Sequence, residues 1–285
     1  MWERINKFVH SHVVLTAFFI SALFLSILAM VFGIPSLNMT PMGGLAFFTV
    51  GQVMLSAIAI WLMRKLQIFN VDDFKFKNMG KGFLLAGLAI IMAAISFFTT
   101  FTQLPENSFI APNPLNLLIV VLHPFIGTGA FEEILIRGLV LKILLIKMGG
   151  SRKGILHACV ISSVIFGVVH IVNLINGDVA LVVGSQIVYA TAFGVFFTAL
   201  FLRTRTLWIP ILIHGLVNLS GQIFNAIVDY SILQQFNTQA QTEIDILGHI
   251  ITLLLITVPL LVVGFVLLRK VKPEDVETIM PASIK

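Results

Sequence analysis

The sequence predicts an all-α, polytopic membrane protein with eight transmembrane helices and with both termini in the cytoplasm. Three observations lead to this prediction: the composition, a series of long apolar stretches, and the placement of the basic residues between those stretches. Of the 285 residues, 58% are hydrophobic and only 11% are charged, and the mean hydropathy is +1.02. A water-soluble chain of this length would need many more polar residues to cover its surface.

Eight apolar stretches are long enough to cross a bilayer, which takes about 20 helical residues. We predict spans at 13–32, 43–63, 82–103, 115–141, 154–174, 179–202, 207–227 and 246–268. The first stretch lacks a convincing small-residue cleavage site, so we expect it to be a retained span and not a signal peptide. We treat residues 1–285 as a single membrane domain, with a motif-bearing core at about 115–227.

The basic residues predict which ends of the spans face the cytoplasm. All Lys and Arg residues except Arg137 lie in the two termini or in the connections 64–81, 142–153 and 203–206. The intervening connections contain only acidic charges, at Glu106, Asp178, Asp229, Glu243 and Asp245. Cytoplasmic loops of membrane proteins are enriched in Lys and Arg, so both termini are predicted to be cytoplasmic. We expect 64–81 and 228–245 to be polar loops and 142–153 to be a basic interfacial segment.

Three charged residues lie within six positions of the fourth predicted span, at Glu132, Glu133 and Arg137. A charge deep in a bilayer costs about 3 kcal/mol or more, so such a cluster indicates a functional or an ion-network role. Glu133 and Arg137 are four residues apart on one helix face and are predicted to form an ion pair. Glu132 points elsewhere without a local partner, which suits a general acid or base. The alternative is a structural network that ties helices together.

Three further polar residues lie deep in later spans. His170 is about 25 Å from Lys153 along the helix axis, and His214 and Asn218 are about 14 Å and about 20 Å from Arg205. By the same rise, Glu132 is about 15–23 Å deep. These four residues can therefore meet in one central layer of a core about 30 Å thick. Each could instead simply hydrogen-bond a neighbouring helix.

The three motifs occur in order on separate spans, as Glu-Glu-x-x-x-Arg at 132–137, Phe-x-x-x-His at 166–170 and His-x-x-x-Asn at 214–218. This ordered set resembles the CPBP family of intramembrane glutamic endopeptidases. That family includes the CAAX prenyl endopeptidases and the bacterial Abi proteins linked to bacteriocin immunity. The resemblance covers roughly 115–227 and implies an eight-helix fold around a central intramembrane cavity.

The resemblance also implies roles for the site residues. Glu132 is similar to the family's catalytic glutamate, and His170 to its partner in activating a water. His214 and Asn218 resemble the groups that hold the oxyanion, and Glu133 and Arg137 resemble the supporting ion pair. This division of labour suits peptide hydrolysis, which needs a base for the water, a proton donor for the leaving amine and donors facing the developing oxyanion. On this interpretation no cofactor is expected.

Three other interpretations stay open at this point. One Glu and two His meet the ligand count of a catalytic zinc site, although no His-Glu-x-x-His helix is present and Arg137 would lie beside the metal. A proton-coupled transporter could use Glu132 and the histidines as a relay, although no internal repeat is detectable. A catalytically silent immunity or scaffold protein could keep the fold and bind a peptide.

The expected partners are membrane lipid and a peptide or membrane-protein substrate, and no nucleic acid is expected. The pI near 9.5 does not indicate nucleic-acid binding, because the basic residues flank the membrane spans. The sequence does not identify the substrate. If the protein is bacterial, we expect it in the plasma membrane.

Overall fold

Helices form nearly all of the described chain. The computed structural model of the protein describes residues 2–36, 38–174, 179–242 and 246–281, so Asp178, Glu243 and Asp245 of the orientation prediction lie outside the described residues. The helices are α1 Trp2–Ser11, α2 Val13–Ser36, α3 Pro41–Lys65, α4 Met79–Leu85, α5 Gly87–Gln103, α6 114–148, α7 Arg152–Leu174, α8 Ala180–Thr204, α9 Trp208–Gln222, α10 Phe224–Ile227, α11 Tyr230–Thr242, α12 Ile246–Leu268 and α13 Pro273–Ile279. The only β pairing in these ranges is an isolated bridge between Phe109 and Val228.

Helix α6 changes its winding along its length. Its α-helical parts are Pro114–Leu122, Ala130–Glu133 and Leu141–Met148, and π-helical turns occupy His123–Gly129 and Ile134–Val140. The first π turn lies where His123-Pro124 and the following glycines predict a kink, and π turns are frequent at functional sites.

Five helices are long and apolar enough to cross a membrane within the described residues: α2, α3, α7, α8 and α12. A sixth crossing is possible if α4 and α5, which are bent by 62° at their junction, act as one span. These helices expose many large apolar side chains, such as Phe19 at 65% and Leu255 at 66%, as expected of surfaces that face lipid. The prediction of an all-α, multi-pass membrane protein is confirmed.

The count of eight spans and the cytoplasmic placement of the termini stay predictions. The two remaining predicted spans are the ones that hold the Glu-Glu and His-Asn motifs, α6 and α9. Neither is an uninterrupted apolar α-helix, because α6 contains two π turns and five charged residues, and α9 has only 15 residues.

Contacts at one end of the bundle join the segments that were predicted to be cytoplasmic. Lys142 forms a buried ion pair with Asp73, whose backbone carbonyl accepts from the Leu207 amide at 2.7 Å. Burial raises the pKa of Asp73 from its ordinary value, against the opposing effect of the Lys142 ammonium. Arg205 pairs with Asp275 at 2.5 Å in the same region. Lys142 is therefore not the solvated charge that the sequence suggests, because the loop after α3 folds over it.

The opposite end is tied together by the connection between α5 and α6. The Ile110 amide donates to the Ile227 carbonyl at 2.9 Å, and the Asp229 amide donates to the Ser108 carbonyl at 2.9 Å. Helix α6 starts near this end and reaches Lys142 beside Asp73, and α9 starts after Leu207 beside Asp73 and runs the opposite way.

One loop prediction is wrong. Residues 228–245 contain helix α11, because Asp229 caps it by accepting from the Ser231 and Ile232 amides and because Leu233 packs on Phe224. The hydrogen bonds from Ser231 and then Ile232 hold the pKa of Asp229 below its ordinary value. In the segment predicted to be interfacial, residues 142–148 continue α6, with 142–145 buried and Lys147 exposed.

The core of the bundle is built around the second half of α6. Every side chain from Glu133 to Leu145 is buried. A helix that is buried all round must be enclosed by its neighbours, and α2, α3, α7 and α8 supply apolar side chains around it. The charged motif at 132–137 therefore begins at the edge of this core and continues into its centre.

Labelling of introduced cysteines tests the orientation. In a Cys159→Ala background, Gln235→Cys on α11 should react with a membrane-impermeant maleimide in intact cells. Lys272→Cys, at the opposite end of the bundle, should react only after permeabilisation. The reverse pattern, or equal labelling of both sites in intact cells, would contradict the predicted orientation.

Candidate active site

The base of the site is a buried ion pair within α6. Arg137 Nη1 donates to Glu133 Oε1 at 2.9 Å, and neither side chain has any exposed surface. Arg137 Nη2 also donates to the Gly194 carbonyl of α8 at 3.2 Å. The pair thus fixes α6 against α8, in the geometry that the i, i+4 spacing predicts.

Aromatic rings enclose the guanidinium. The Arg137 Cζ atom lies 4.7 Å from the Phe166 ring centroid and 5.5 Å from that of Phe197. Phe197 in turn stacks on His214, with centroids 5.2 Å apart and an interplanar angle of 23°. Cation–π contacts are strongest where water is excluded, so these rings help to hold a charge in an apolar core. They also give Phe166 of the second motif a direct packing role.

His214 connects the ion pair to the cavity. Its Nδ1 is 2.9 Å from Glu133 Oε1, and its Nε2 is 3.7 Å from Glu132 Oε2. Since Glu133 Oε1 is already the acceptor for Arg137, the simplest assignment has Nδ1–H donating to Glu133. Nε2 is then an acceptor in the neutral ring and a donor only in the imidazolium. The two adjacent glutamates thus contact opposite sides of one histidine.

His170 has a defined tautomer. Its Nδ1 is 2.9 Å from the Phe166 carbonyl, which can only accept, so Nδ1 carries the proton. In the neutral ring, Nε2 is therefore left as an acceptor. His170 lies in the 3-10 turn Val169–Leu174 that ends α7, where no side chain is buried. This 3-10 turn places the His170 ring at the wall of a cavity between the helices.

Glu132, His170, His214 and Asn218 all line one cavity of about 320 Å³ between the helices. The Glu132 side chain is 20% exposed, whereas that of Glu133 is fully buried. Glu132 Oε2 has no hydrogen-bond partner among the described residues. Glu133 Oε2 has no partner among these residues either, but Glu133 does not line the cavity. The first glutamate of the motif is thus the one with surface in the cavity, and the second is bound within the buried network.

Close helix contacts bring these groups together. A Cβ added to Gly129 would lie 2.9 Å from the Ile211 carbonyl oxygen and 3.3 Å from the Gly215 nitrogen, both backbone atoms of α9. A Cβ on Gly194 would lie 2.8 Å from Ser163 Cβ. Small residues permit this near contact of membrane helices. The glycines therefore set the separation at which Glu132 and Glu133 can both reach His214.

Further polar residues line the cavity that the sequence did not single out as functional. His123 bonds to Thr49 at 2.8 Å and to Thr128 at 3.2 Å, and Thr128 accepts from Gln52 at 3.1 Å. Gln52 is only 2% exposed, and its Oε1 has no partner in the described structure. A buried, unsatisfied amide oxygen is unusual and is the kind of group that a substrate can satisfy. In the sequence, the one sign of Gln52 is that a polar residue lies within an apolar predicted span.

The other side of the cavity is also rich in carboxamides. Asn173 Nδ2 donates to Gln186 Oε1 at 2.8 Å, and Gln222 Oε1 is buried without a partner among the described residues. Together with Gln52 and Asn218, these residues place five carboxamides around the cavity. No Lys or Arg lines it in the described part of the chain. The cavity is polar and, apart from Glu132 and its histidines, uncharged.

A catalytic zinc site was one of the other interpretations of the same residues. In the described ranges, no three His, Cys, Asp or Glu side chains are grouped so that they could hold one metal ion.

The two glutamates should respond differently to substitution. Glu133→Ala leaves Arg137 buried without its partner, and breaking a buried pair costs about 3–5 kcal/mol. We expect a clearly lower thermal midpoint in detergent for this variant, measured by tryptophan fluorescence. The neighbouring Glu132→Gln is the matched control and should unfold at the wild-type temperature. A large stability loss in Glu132→Gln with none in Glu133→Ala would reverse the two assignments.

Comparison with known proteins finds a match to the central part of the chain. Residues 114–220 match the family model of the type II CAAX prenyl endopeptidase Rce1-like proteins. The matched segment runs from the start of α6 into α9 and contains all three motifs. No curated protein and no solved structure matches the chain. Residues 114–220 are therefore similar to the Rce1-like family of CAAX-type membrane proteases.

Proposed function

We propose that this protein is an intramembrane glutamic endopeptidase that hydrolyses a peptide bond in a membrane-associated or lipidated substrate. The observation that carries the proposal is the division between the two adjacent glutamates. Glu133 is fully buried and its Oε1 is bound by Arg137 and His214, while Glu132 is 20% exposed and lines the cavity. The family match independently supports a membrane protease of the CAAX type.

In the proposed mechanism, the Glu132 carboxylate takes a proton from a water in the cavity. His170 Nε2 accepts the water's other hydrogen and orients it, because Nδ1 is held by the Phe166 carbonyl. The hydroxide attacks the peptide carbonyl, and Glu132 then passes its proton to the leaving amine. A single carboxyl group can serve both steps, since it is a base in the first and an acid in the second.

The oxyanion is proposed to bind at His214 and Asn218. These residues are four positions apart, so their side chains lie on one face of α9. His214 donates through Nε2 as the imidazolium, with Glu133 holding Nδ1–H, and the Asn218 amide supplies a second donor. Donors that are oriented before the reaction stabilise the developing charge without a cost of reorganisation.

The carboxamides around the cavity support recognition of peptide backbone. Each amide side chain offers both a donor and an acceptor, as a peptide group does. The lack of Lys and Arg among the described lining residues favours an uncharged segment over a free terminal carboxylate. The two substrate classes proposed are a prenylated protein with a CAAX-type terminus and a peptide precursor related to bacteriocin maturation or immunity.

Hydrolysis of a fluorogenic peptide library by the purified protein in liposomes tests the proposal. Glu132→Gln and His170→Ala should lose activity by orders of magnitude, and Asn218→Ala should lose roughly 10²–10³, as for one oxyanion donor. His157→Ala on the exposed early part of α7 and Asn225→Ala beyond the cavity are matched controls and should stay near wild type. Full activity in Glu132→Gln would overturn the proposal.

The same assay separates the glutamic from the zinc mechanism. We expect activity to survive incubation with a strong chelator followed by its removal. One zinc per chain that is lost together with activity and restores it on re-addition would favour the zinc enzyme. Wild type and every variant inactive on all substrates, with the fold intact, would favour the silent immunity or scaffold protein.

A further inference from the structure

A second cavity lies at the end of the bundle that contains the basic segments, and it shares no lining residue with the cavity of the motif residues. It has a volume of about 380 Å³ and lies between the start of α7 and the end of α12. Arg152, Lys153 and Arg269 line it together with Leu156, Phe265 and Leu268. One side of the groove is thus cationic and the other is apolar.

The three cations have no acidic partner. No ion pair joins Arg152, Lys153 or Arg269 to a carboxylate in the described part of the chain. Asp275, at the same end of the bundle, is paired with Arg205. Arg152 donates to the backbone carbonyl of Arg269, which holds the two helix ends together. The groove therefore has an excess of positive charge on a fixed frame.

An exposed apolar stripe continues from the groove along the bundle. Leu156, Val160 and Val164 are 38%, 37% and 44% exposed and follow one another at i, i+4 and i+8 on α7. On α12, which lines the other side of the groove, Val262 and Val258 are 56% and 50% exposed. A ligand held at the cations could therefore extend a hydrocarbon chain along both helices toward the centre of the bilayer.

We propose that this groove binds an anionic glycerophospholipid. Its phosphate would lie among Arg152, Lys153 and Arg269, and an acyl chain would follow the Leu156 stripe. Basic pockets between membrane helices at the headgroup level are suited to anionic lipids. A soluble anion would use only the cations and would leave the apolar stripe unexplained.

Lipid binding can be measured by native mass spectrometry of the purified protein in detergent. We would titrate dioleoylphosphatidylglycerol, with dioleoylphosphatidylcholine as the uncharged comparison. Lys153→Gln/Arg269→Gln removes two charges but keeps the bond from Arg152 to the backbone carbonyl. It should weaken phosphatidylglycerol binding by roughly thirtyfold, since each basic residue contributes about 1 kcal/mol and about 1.4 kcal/mol is tenfold. Arg64→Gln/Lys65→Gln, two exposed basic residues at the end of α3, makes the same change in net charge and should leave binding unaltered.

A steric variant separates the apolar from the ionic part of the site. Leu156→Trp should fill the groove and weaken phosphatidylglycerol binding with the charges intact. Equal affinity for the two lipids, or an equal loss in the α3 control, would overturn the proposal. So would binding of glycerol phosphate as tight as that of the lipid, because it would indicate a soluble-anion site.

Discussion

The buried contact between Glu133 and Arg137 is the interaction on which the site depends. It places a carboxylate and a guanidinium in an apolar core, where burying either charge alone would be costly. Each charge neutralises the other. Arg137 reaches the Gly194 carbonyl of α8, and Glu133 reaches His214 of α9. One pair on α6 thereby fixes the positions of two further helices.

This arrangement explains why two adjacent glutamates have different fates. A helix turns by about 100° per residue, so the neighbour of a core-facing residue must point toward another surface. Glu133 points into the core, and Glu132 points into the cavity beside His214 Nε2. The buried Glu133–Arg137 pair and the cavity surface at Glu132 are therefore not separate structures. They are two faces of the same turn, joined through a single imidazole.

The local part of this site could be predicted from the sequence, and the tertiary part could not. Spacing alone predicts the Glu133–Arg137 pair and the shared face of His214 and Asn218, and the depth of each residue predicts the common layer. That Glu133 also binds His214 depends on how closely α6 and α9 approach at Gly129, which no local pattern encodes. Gln52 was missed because one amide in a span most often bonds to a neighbouring helix. Helix α11 was missed because its apolar contacts are few and its composition is polar.

A double-variant comparison of the ion pair tests this account most directly. Glu133→Leu and Arg137→Met should each lower the free energy of unfolding by about 3–5 kcal/mol, because each leaves one buried charge unpaired. The double variant removes both charges, so it should recover most of that lost stability. Peptide hydrolysis should stay abolished, because His214 Nδ1 has lost its carboxylate partner. Losses in stability that simply add, or activity that returns together with stability, would contradict the claim that this pair both closes the core and positions the histidine.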